Sequence, residues 1–313
     1  MPPDGSTGGA QPLLRNRYRI GAVLGQGGLA TVYGATDEFL GRLVAVKLFH
    51  ASASAEEDLR RQEDEVNTLA MLNHPDLVTL LDVGVHRADD QSHIFSVMEL
   101  IHGTDLRRRL AEGPMSPRQI AQLGYHVASG LEHVHGLGIV HRDVKPANIL
   151  LQHLQDSTRV SAKLGDFGLA SRGIGPATSA GQTITGTVAY VSPEQARGDV
   201  VTTASDVYSL GLVLLECFTR RLAFPGDPQE SLAARLVYAP VMDERVPEEW
   251  VPLLRAMTAL DPADRPPIGE ITKALRDAFA SETGRHRAVT MEVLARFAAM
   301  LSQQQLVEQP PGP

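Results

Sequence analysis

The sequence predicts an α+β chain in which a β-rich first half precedes a mostly helical second half. Three observations carry this. From Tyr18 onward, short runs of β-branched and apolar residues recur between glycine-bearing turns, which is strand patterning. Beyond Gly103 the period changes. Ile120, Leu123, Val127, Leu131 and Val134 step by 3, 4, 4 and 3 residues, the spacing of an amphipathic helix. The 313 residues suffice for one large domain or for two lobes with separate cores, and a cleft is expected between the β-rich and helical halves.

In chain order, residues 1–16 are rich in Pro, Gly, Ser and Thr and form an expected flexible N-terminus. Tyr18 to Leu24, Thr31 to Thr36 and Leu43 to Phe49 read as three strands. A helix follows, with Leu59, Val66, Leu69 and Ala70 on one stripe. Two further strands are expected at Leu77 to Val83 and Ile94 to Leu100, and another at Ser161 to Leu164. The apolar run from Val207 to Phe218 is interrupted by Ser209, Gly211 and Glu216, so it reads as a buried helix. Residues 281–313 form an extension with an expected helix over 288–306. Val289, Val293, Phe297 and Met300 line one of its faces. Two readings stand for it: packing on its own domain, or a docking or dimer contact.

Composition removes several function classes. A net charge of -8 argues against a general nucleic-acid binder, which needs a basic surface. A single cysteine, Cys217, cannot form an internal disulfide and points to a reducing, cytoplasmic compartment. No segment reaches the roughly 18 apolar residues of a membrane span, so no membrane insertion is expected. The N-terminus does not read as a secretory signal.

Four motifs carry chemistry. Leu24-Gly25-Gln26-Gly27-Gly28-Leu29-Ala30-Thr31-Val32 is a glycine-rich turn whose backbone can approach phosphates closely. A dinucleotide-binding loop would need a helix directly after the glycines, whereas Thr31-Val32-Tyr33 predicts a strand. Val44-Ala45-Val46-Lys47 places a cation in an apolar strand, where burial demands a partner. The next helix offers Glu63, Asp64 and Glu65, and Glu65 lies beside the apolar stripe. His141-Arg142-Asp143-Val144-Lys145-Pro146-Ala147-Asn148 gathers a carboxylate, a cation and an amide suited to proton acceptance, phosphate contact and metal ligation. Asp166-Phe167-Gly168 sets a carboxylate that can reach a hard cation beside a flexible glycine. His133 and His135 are two apart on a helix and face different directions, which disfavours a shared metal.

In this order the motifs resemble those of the protein kinases, over residues 18 to about 280. The resemblance continues through Ser192-Pro193-Glu194, Ser205-Asp206-Val207 and Asp261-Pro262-Ala263-Asp264-Arg265-Pro266. Lys145, two places after Asp143, is similar to the serine/threonine class. Ser192-Pro193-Glu194-Gln195-Ala196-Arg197-Gly198 resembles its bacterial, eukaryotic-like branch. The resemblance implies a bilobal kinase fold spanning 17–280, with a small β-rich N-lobe (17–101) and a larger α-helical C-lobe (102–280). It also implies ATP and Mg²⁺ as cofactors, with Mn²⁺ as an alternative, and protein substrates.

The roles implied are specific. Asp143 would accept the substrate hydroxyl proton, Lys145 would contact the γ-phosphate, and Thr187 would position Asp143. Lys47, paired with Glu65, would hold the α/β-phosphates, and Asn148 and Asp166 the metal. Gly25, Gly27 and Gly28 would cover the phosphates. Leu24, Val32, Ala45, Met98 and Leu150 would line the adenine slot. The backbone of Glu99 and Ile101 would bond the base, and Asp105 the ribose. Glu194 and Arg265 should form a buried ion pair, and Asp206 should hold the backbone around His141.

Three functions compete: an active kinase, a pseudokinase scaffold of the same fold, and an adaptor acting through the C-terminal helix. Lys47, Asp143, Asn148 and Asp166 are all present and favour the enzyme. Ala147, where basophilic relatives carry an acid, disfavours arginine-rich substrates. Thr178, Ser179, Thr183 and Thr185 lie in a small, polar segment before Thr187 and are the candidate phosphorylation sites of a switch, with Arg142 as the expected phosphate partner.

Overall fold

Where apolar residues recur at every second position, a pleated strand puts them on one face, and the first part of the chain folds accordingly. The computed structural model describes residues 13–28, 30–50, 72–88, 91–152, 161–166 and 188–282. The chain divides into two units. One comprises Met1–Asn73 with Val78–Leu100, the other His74–Leu77 with Ile101–Pro313.

The first unit carries a six-stranded antiparallel sheet. Its strands are β1 (Leu13–Leu14), β2 (Tyr18–Gln26), β3 (Ala30–Asp37), β4 (Arg42–Phe49), β5 (Leu80–Ala88) and β6 (Gln91–Glu99), in spatial order β1-β2-β3-β4-β6-β5. Leu14, Tyr18, Ala35, Val44, Val46, Phe95 and Val97 form its core cluster. Asp37 ends β3 and organises the turn beyond it. Its carboxylate accepts from Arg17 Nε and Nη2, both at 2.9 Å, and from the N–H groups of Phe39 and Leu40 at 3.3 Å. The Arg17 bonds, helped by these amides, outweigh burial and hold its pKa down at about 2.

The expected strand from Leu77 starts instead at Leu80. Leu77 belongs to the second unit, where it is buried and forms an isolated parallel bridge with Leu164. Its apolar side chain therefore serves a different core from the strand that follows it.

The second unit is mostly helical. Its described helices are α1 (Leu106–Glu112), α2 (Pro117–Gly136), α3 (Pro193–Arg197), α4 (Thr203–Thr219), α5 (Pro228–Val237), α6 (Val251–Met257) and α7 (Ile268–Glu282). A small sheet joins β7 (Gly103–Asp105), β8 (Ile149–Gln152) and β9 (Ser161–Leu164). Helix α2 begins at a capping box. Ser116 Oγ accepts from Gln119 N–H, and Gln119 Oε1 accepts from Ser116 N–H, with Pro117 in the first turn. The stripe Ile120, Leu123, Val127, Leu131 and Val134 is fully buried. It packs the helix against α4, α7 and β9. Helix α4 is buried continuously from Ser205 to Leu215, which accounts for its apolar run. Among the described residues no helix is long and apolar enough to cross a membrane. Gly103 is required where it stands, because a Cβ there would overlap the Leu151 carbonyl of β8.

Candidate functional site

The loop between α2 and β8 carries the polar octapeptide from His141 to Asn148, and side chains hold its backbone in place. Asp206, fully buried on α4, accepts from His141 N–H at 2.8 Å and from Arg142 N–H at 2.7 Å. Its Oδ2 also meets His135 Nε2 at 2.8 Å. Asp143 N–H donates to His141 Nδ1 at 3.3 Å, while His141 Nε2 lies 3.1 Å from the Gly165 carbonyl. Three consecutive amides, 141 to 143, are thus satisfied by two buried side chains. The Arg142 carbonyl accepts from Gln195 Nε2 of α3 at 2.9 Å. These bonds hold Arg142 at φ +68°, a left-handed conformation that a non-glycine residue adopts at a cost of about 1–3 kcal/mol.

The two contacts of the His141 ring fix its tautomer. A carbonyl only accepts and an amide N–H only donates, so Nε2 bears the hydrogen and Nδ1 the lone pair. Burial lowers its pKa below the ordinary histidine value, keeping the ring neutral. In the unfolded chain the ring titrates at about pH 6.5. Below that pH the unfolded state binds protons that the folded state refuses. The His141 contribution to stability is therefore complete above about pH 6.5 and declines as pH falls. Between pH 7.5 and 5.5 the wild-type melting temperature should fall more steeply than that of a His141→Asn variant. Equal slopes would remove His141 as the origin of the acid sensitivity.

On this backbone Asp143, Lys145 and Asn148 come together. Asp143 Oδ2 accepts from Lys145 Nζ at 2.8 Å and from Asn148 Nδ2 at 2.9 Å. Asn148 Nδ2 also donates to the Asp143 carbonyl at 2.8 Å. The side chains of Asp143 and Lys145 stay 25% and 19% exposed, so the group is fixed yet open to a reactant.

With Nδ2 engaged on Asp143, Asn148 offers its amide Oδ1 in another direction. The Asn148 carbonyl accepts from Gly165 N–H at 2.8 Å, one step beyond the Ile149↔Leu164 pair of β8 and β9. Asp166 follows directly, at φ +54°. An amide oxygen and a carboxylate on adjoining strand ends are hard donors that fit a small divalent cation. Leu150 pairs with Asp105 across β7 and β8. Asp105 has a structural task that the sequence reading missed. It caps α1, its Oδ1 accepting from Arg108 N–H at 2.9 Å. Ile101 opens the longer of the two segments that make up the second unit.

In the first unit, β-register gathers another set. Val32 pairs with Lys47, and Ala45 pairs with both Gly34 and Met98. Cross-strand partners share a face, so Val32, Ala45, Lys47 and Met98 lie on the side opposite Val44 and Val46. Leu24 falls at a register irregularity of β2, and a Cβ on Gly34 would meet its side chain at 3.7 Å, so it covers the same face. The Glu99 N–H donates to the Thr79 carbonyl at 3.0 Å, which ties the end of β6 to the segment before β5. The glycine turn joins β2 directly to β3, closed by Gly27 N–H on the Ala30 carbonyl at 2.9 Å. That strand-turn-strand layout is not the strand-to-helix layout of a dinucleotide loop. A Cβ on Gly25 or Gly28 would meet nothing within 4 Å. The space beside the turn is open for a ligand, and it is not filled by packing.

Glu65, Thr187, Thr178, Ser179, Thr183 and Thr185 lie outside the described residues, as do the helix expected around Leu59 to Ala70 and segment 288–306. The expected ion pair of Glu194 with Arg265 is present, at 2.6 Å and buried. His135, set against Asp206, acts in the hydrogen-bond frame of the loop.

Comparison with known proteins agrees with this geometry. Residues 18–279 match the family described as protein kinase domain. The chain is 36% identical over 307 residues to a probable serine/threonine-protein kinase of Corynebacterium efficiens, covering 96% of this chain and 44% of the relative. It is 34% identical over 287 residues to the serine/threonine-protein kinase PrkC of Bacillus subtilis, covering 89% and 43%. PknL of Mycobacterium bovis is 39% identical over 260 residues, covering 81% and 63%. The chain thus spans less than two thirds of each of these relatives. The PknI kinase domain of Mycobacterium tuberculosis, solved as a double mutant, superposes with a TM-score of 0.67 at 23% identity. It covers 87% of this chain and 98% of that one, which speaks for the fold. A β-sheet unit with a glycine turn, a helical unit with an Asp-Lys-Asn loop on a buried aspartate, and a family match over most of the length establish that this chain belongs to the protein kinase family, with its relatives in the bacterial serine/threonine branch.

Proposed function

We propose that the chain is an ATP-dependent serine/threonine protein kinase that transfers the γ-phosphate of ATP to Ser or Thr hydroxyls of proteins and phosphorylates its own segment before Thr187. One observation carries the reading. The Asp143 carboxylate, one quarter exposed, is held by Lys145 and Asn148 on a backbone whose amides at 141 to 143 are tied. Phosphoryl transfer asks little covalent help of a protein, so a rigid, charged frame is what the chemistry needs. Asp143 takes the proton of the attacking hydroxyl. A bond forms from that oxygen to the γ-phosphorus as the bond to the β–γ bridging oxygen breaks, and ADP leaves. Lys145 balances charge on the transferred group.

Lys47, with Glu65, is assigned to the α/β-phosphates and the glycine turn to covering them. Leu24, Val32, Ala45, Met98 and Leu150 take the adenine, the backbone of Glu99 and Ile101 its edge, and Asp105 the ribose. Asn148 and Asp166 would hold Mg²⁺, with Mn²⁺ as a substitute. When bound, that cation neutralises phosphate charge. Thr187 supports Asp143, and Thr178, Ser179, Thr183 and Thr185 are the proposed phosphorylated residues, with Arg142 as their cation. Segment 288–306 is proposed as a docking or dimer contact on the strength of its apolar stripe. The lone cysteine, Cys217, buried in α4, supports work in a reducing, cytoplasmic setting.

The test is direct. Purified chain with Mg-ATP should label itself and a generic protein on Ser and Thr, and chelation of divalent cation should stop the labelling. Clear Mg-ATP binding without any transfer would replace this reading by the pseudokinase scaffold.

A further inference from the structure

Ser192 caps α3, and the side chain of Gln195 in the first turn of that helix is used at both ends. Its Oε1 accepts from Ser192 N–H at 3.0 Å and from Ser192 Oγ at 3.1 Å. Its Nε2 donates to the Arg142 carbonyl at 2.9 Å, 53 positions back in the chain. A backbone N–H can only donate and a carbonyl can only accept, so one orientation of the amide serves both. The capping box by itself does not ask for an amide. A glutamate closes such a box equally well, and its charge suits the first turn of a helix. What glutamine adds is the bond to Arg142. The peptide unit between Arg142 and Asp143 is thereby held at both ends, its carbonyl by Gln195 and its N–H by His141 Nδ1 at 3.3 Å. Arg142 stands at φ +68°, a conformation that a non-glycine residue keeps only under such restraint.

We propose that Gln195 is a positioning residue for Asp143: its side-chain amide fixes the peptide plane from which Asp143 projects, and with it the direction of the carboxylate that takes the substrate proton. The unit is trans, so its C=O and N–H point in opposite directions, and partners on the two sides define the plane between them. Of these two bonds the one from Gln195 is the shorter, at 2.9 Å against 3.3 Å. Asp206 holds the N–H groups of the two preceding units, while Lys145 and Asn148 hold the carboxylate itself. Gln195 is in turn anchored on Ser192, which is fully buried, so the plane is referred to the start of α3. This inference rests on the reading of Asp143 as the proton acceptor, given above.

The experiment compares the full chain with Gln195→Glu and Gln195→Met, measuring kcat on a peptide, KM for ATP, direct affinity for Mg-ATP and melting temperature. Glutamate keeps the acceptor for Ser192 and lacks the donor for Arg142. Methionine, of similar length, lacks both. Each variant should lose about tenfold in kcat, short of the roughly 10²-fold that a misplacement of a whole ångström costs, because the bonds of Asp206 and His141 remain. KM for ATP and affinity for Mg-ATP should stay within about twofold of wild type in both. The melting temperature should fall in the methionine variant alone, since only that one loses the helix cap. A glutamate variant with wild-type kcat overturns the proposal. So does a methionine variant with wild-type kcat, because the loss in the glutamate variant would then come from its added charge. A loss of Mg-ATP affinity as large as the loss of kcat overturns it too, as the mark of general disruption. If the wild type binds Mg-ATP and transfers no phosphate, the kinase reading fails first, before any variant is compared, and takes the proposal with it.

Discussion

Asp143→Asn should lower the phosphoryl-transfer rate by about 10²–10⁴-fold, the usual worth of a positioned proton acceptor. Mg-ATP affinity should stay within about twofold, because no bond of Asp143 is assigned to the nucleotide. The substitution keeps the shape of the side chain and removes its charge and basicity. Lys145 Nζ at 2.8 Å and Asn148 Nδ2 at 2.9 Å both donate to Asp143 Oδ2. An amide oxygen can still accept from both, so the loop should keep its geometry. The amides of 141 to 143 depend on Asp206 and His141 and are untouched. The expected signature is thus a fallen kcat, an unchanged melting temperature and intact nucleotide binding. Single-turnover transfer on a peptide is the measurement. A variant that retains more than a tenth of the wild-type rate would mean that proton acceptance is not the task of Asp143.

The sequence carried the helical half better than the edges of the sheet. The stripe Ile120 to Val134 was legible because all five of its residues are fully buried on one helix. Strand Ser161–Leu164 was legible for its short alternating pattern. Leu77 misled, because a buried leucine looks the same whether it faces one core or another. The hairpin arms at Gln91 and Arg87 were hidden by polar residues, since a backbone ladder does not require apolar side chains. At the site, the loop residues were legible as a motif, and so was the support of Asp206. What motif reading missed are single side chains with bonds far along the chain. His135 reaches Asp206, His50 reaches Gly28, and Gln195 reaches the Arg142 carbonyl. Arg235 is another. It is fully buried and bonded to the carbonyls of Ala189 and Val191, although a lone arginine in a helix reads as a solvated one. No periodicity encodes such contacts, since each depends on a meeting of two elements that only the fold creates.

The Glu194–Arg265 pair should be the most stabilising polar contact to break, and its two halves should be strongly coupled. The guanidinium donates through Nη1 to Glu194 Oε1 at 2.6 Å and through Nη2 to Oε2 at 2.9 Å. Its other three donors go to the carbonyls of Ala204, Leu260 and Ala259. The cation also lies 4.9 Å from the Tyr208 ring centroid. Glu194 Oε1 accepts a further bond from Ser205 Oγ at 2.6 Å. The side chains are 0% and 3% exposed, so water cannot replace a lost partner. Burial pushes the Glu194 pKa up, yet the bonds from Arg265 and Ser205 prevail and hold it below the ordinary value. Its contribution is therefore complete above the unfolded glutamate range and is lost as pH falls through the lowered folded pKa. At neutral pH, Arg265→Met strands a buried carboxylate, and Glu194→Leu strands a buried cation. Each should cost about 3–5 kcal/mol in urea unfolding. The double variant removes both charges together, so its loss should fall short of the sum of the singles by about 2 kcal/mol or more. The loss should reach activity as well, because α3 carries both Glu194 and Gln195, and Gln195 donates to the Arg142 carbonyl beside Asp143. Strictly additive losses in the two singles and the double would mean that the helix ends are held by packing, with the ion pair incidental.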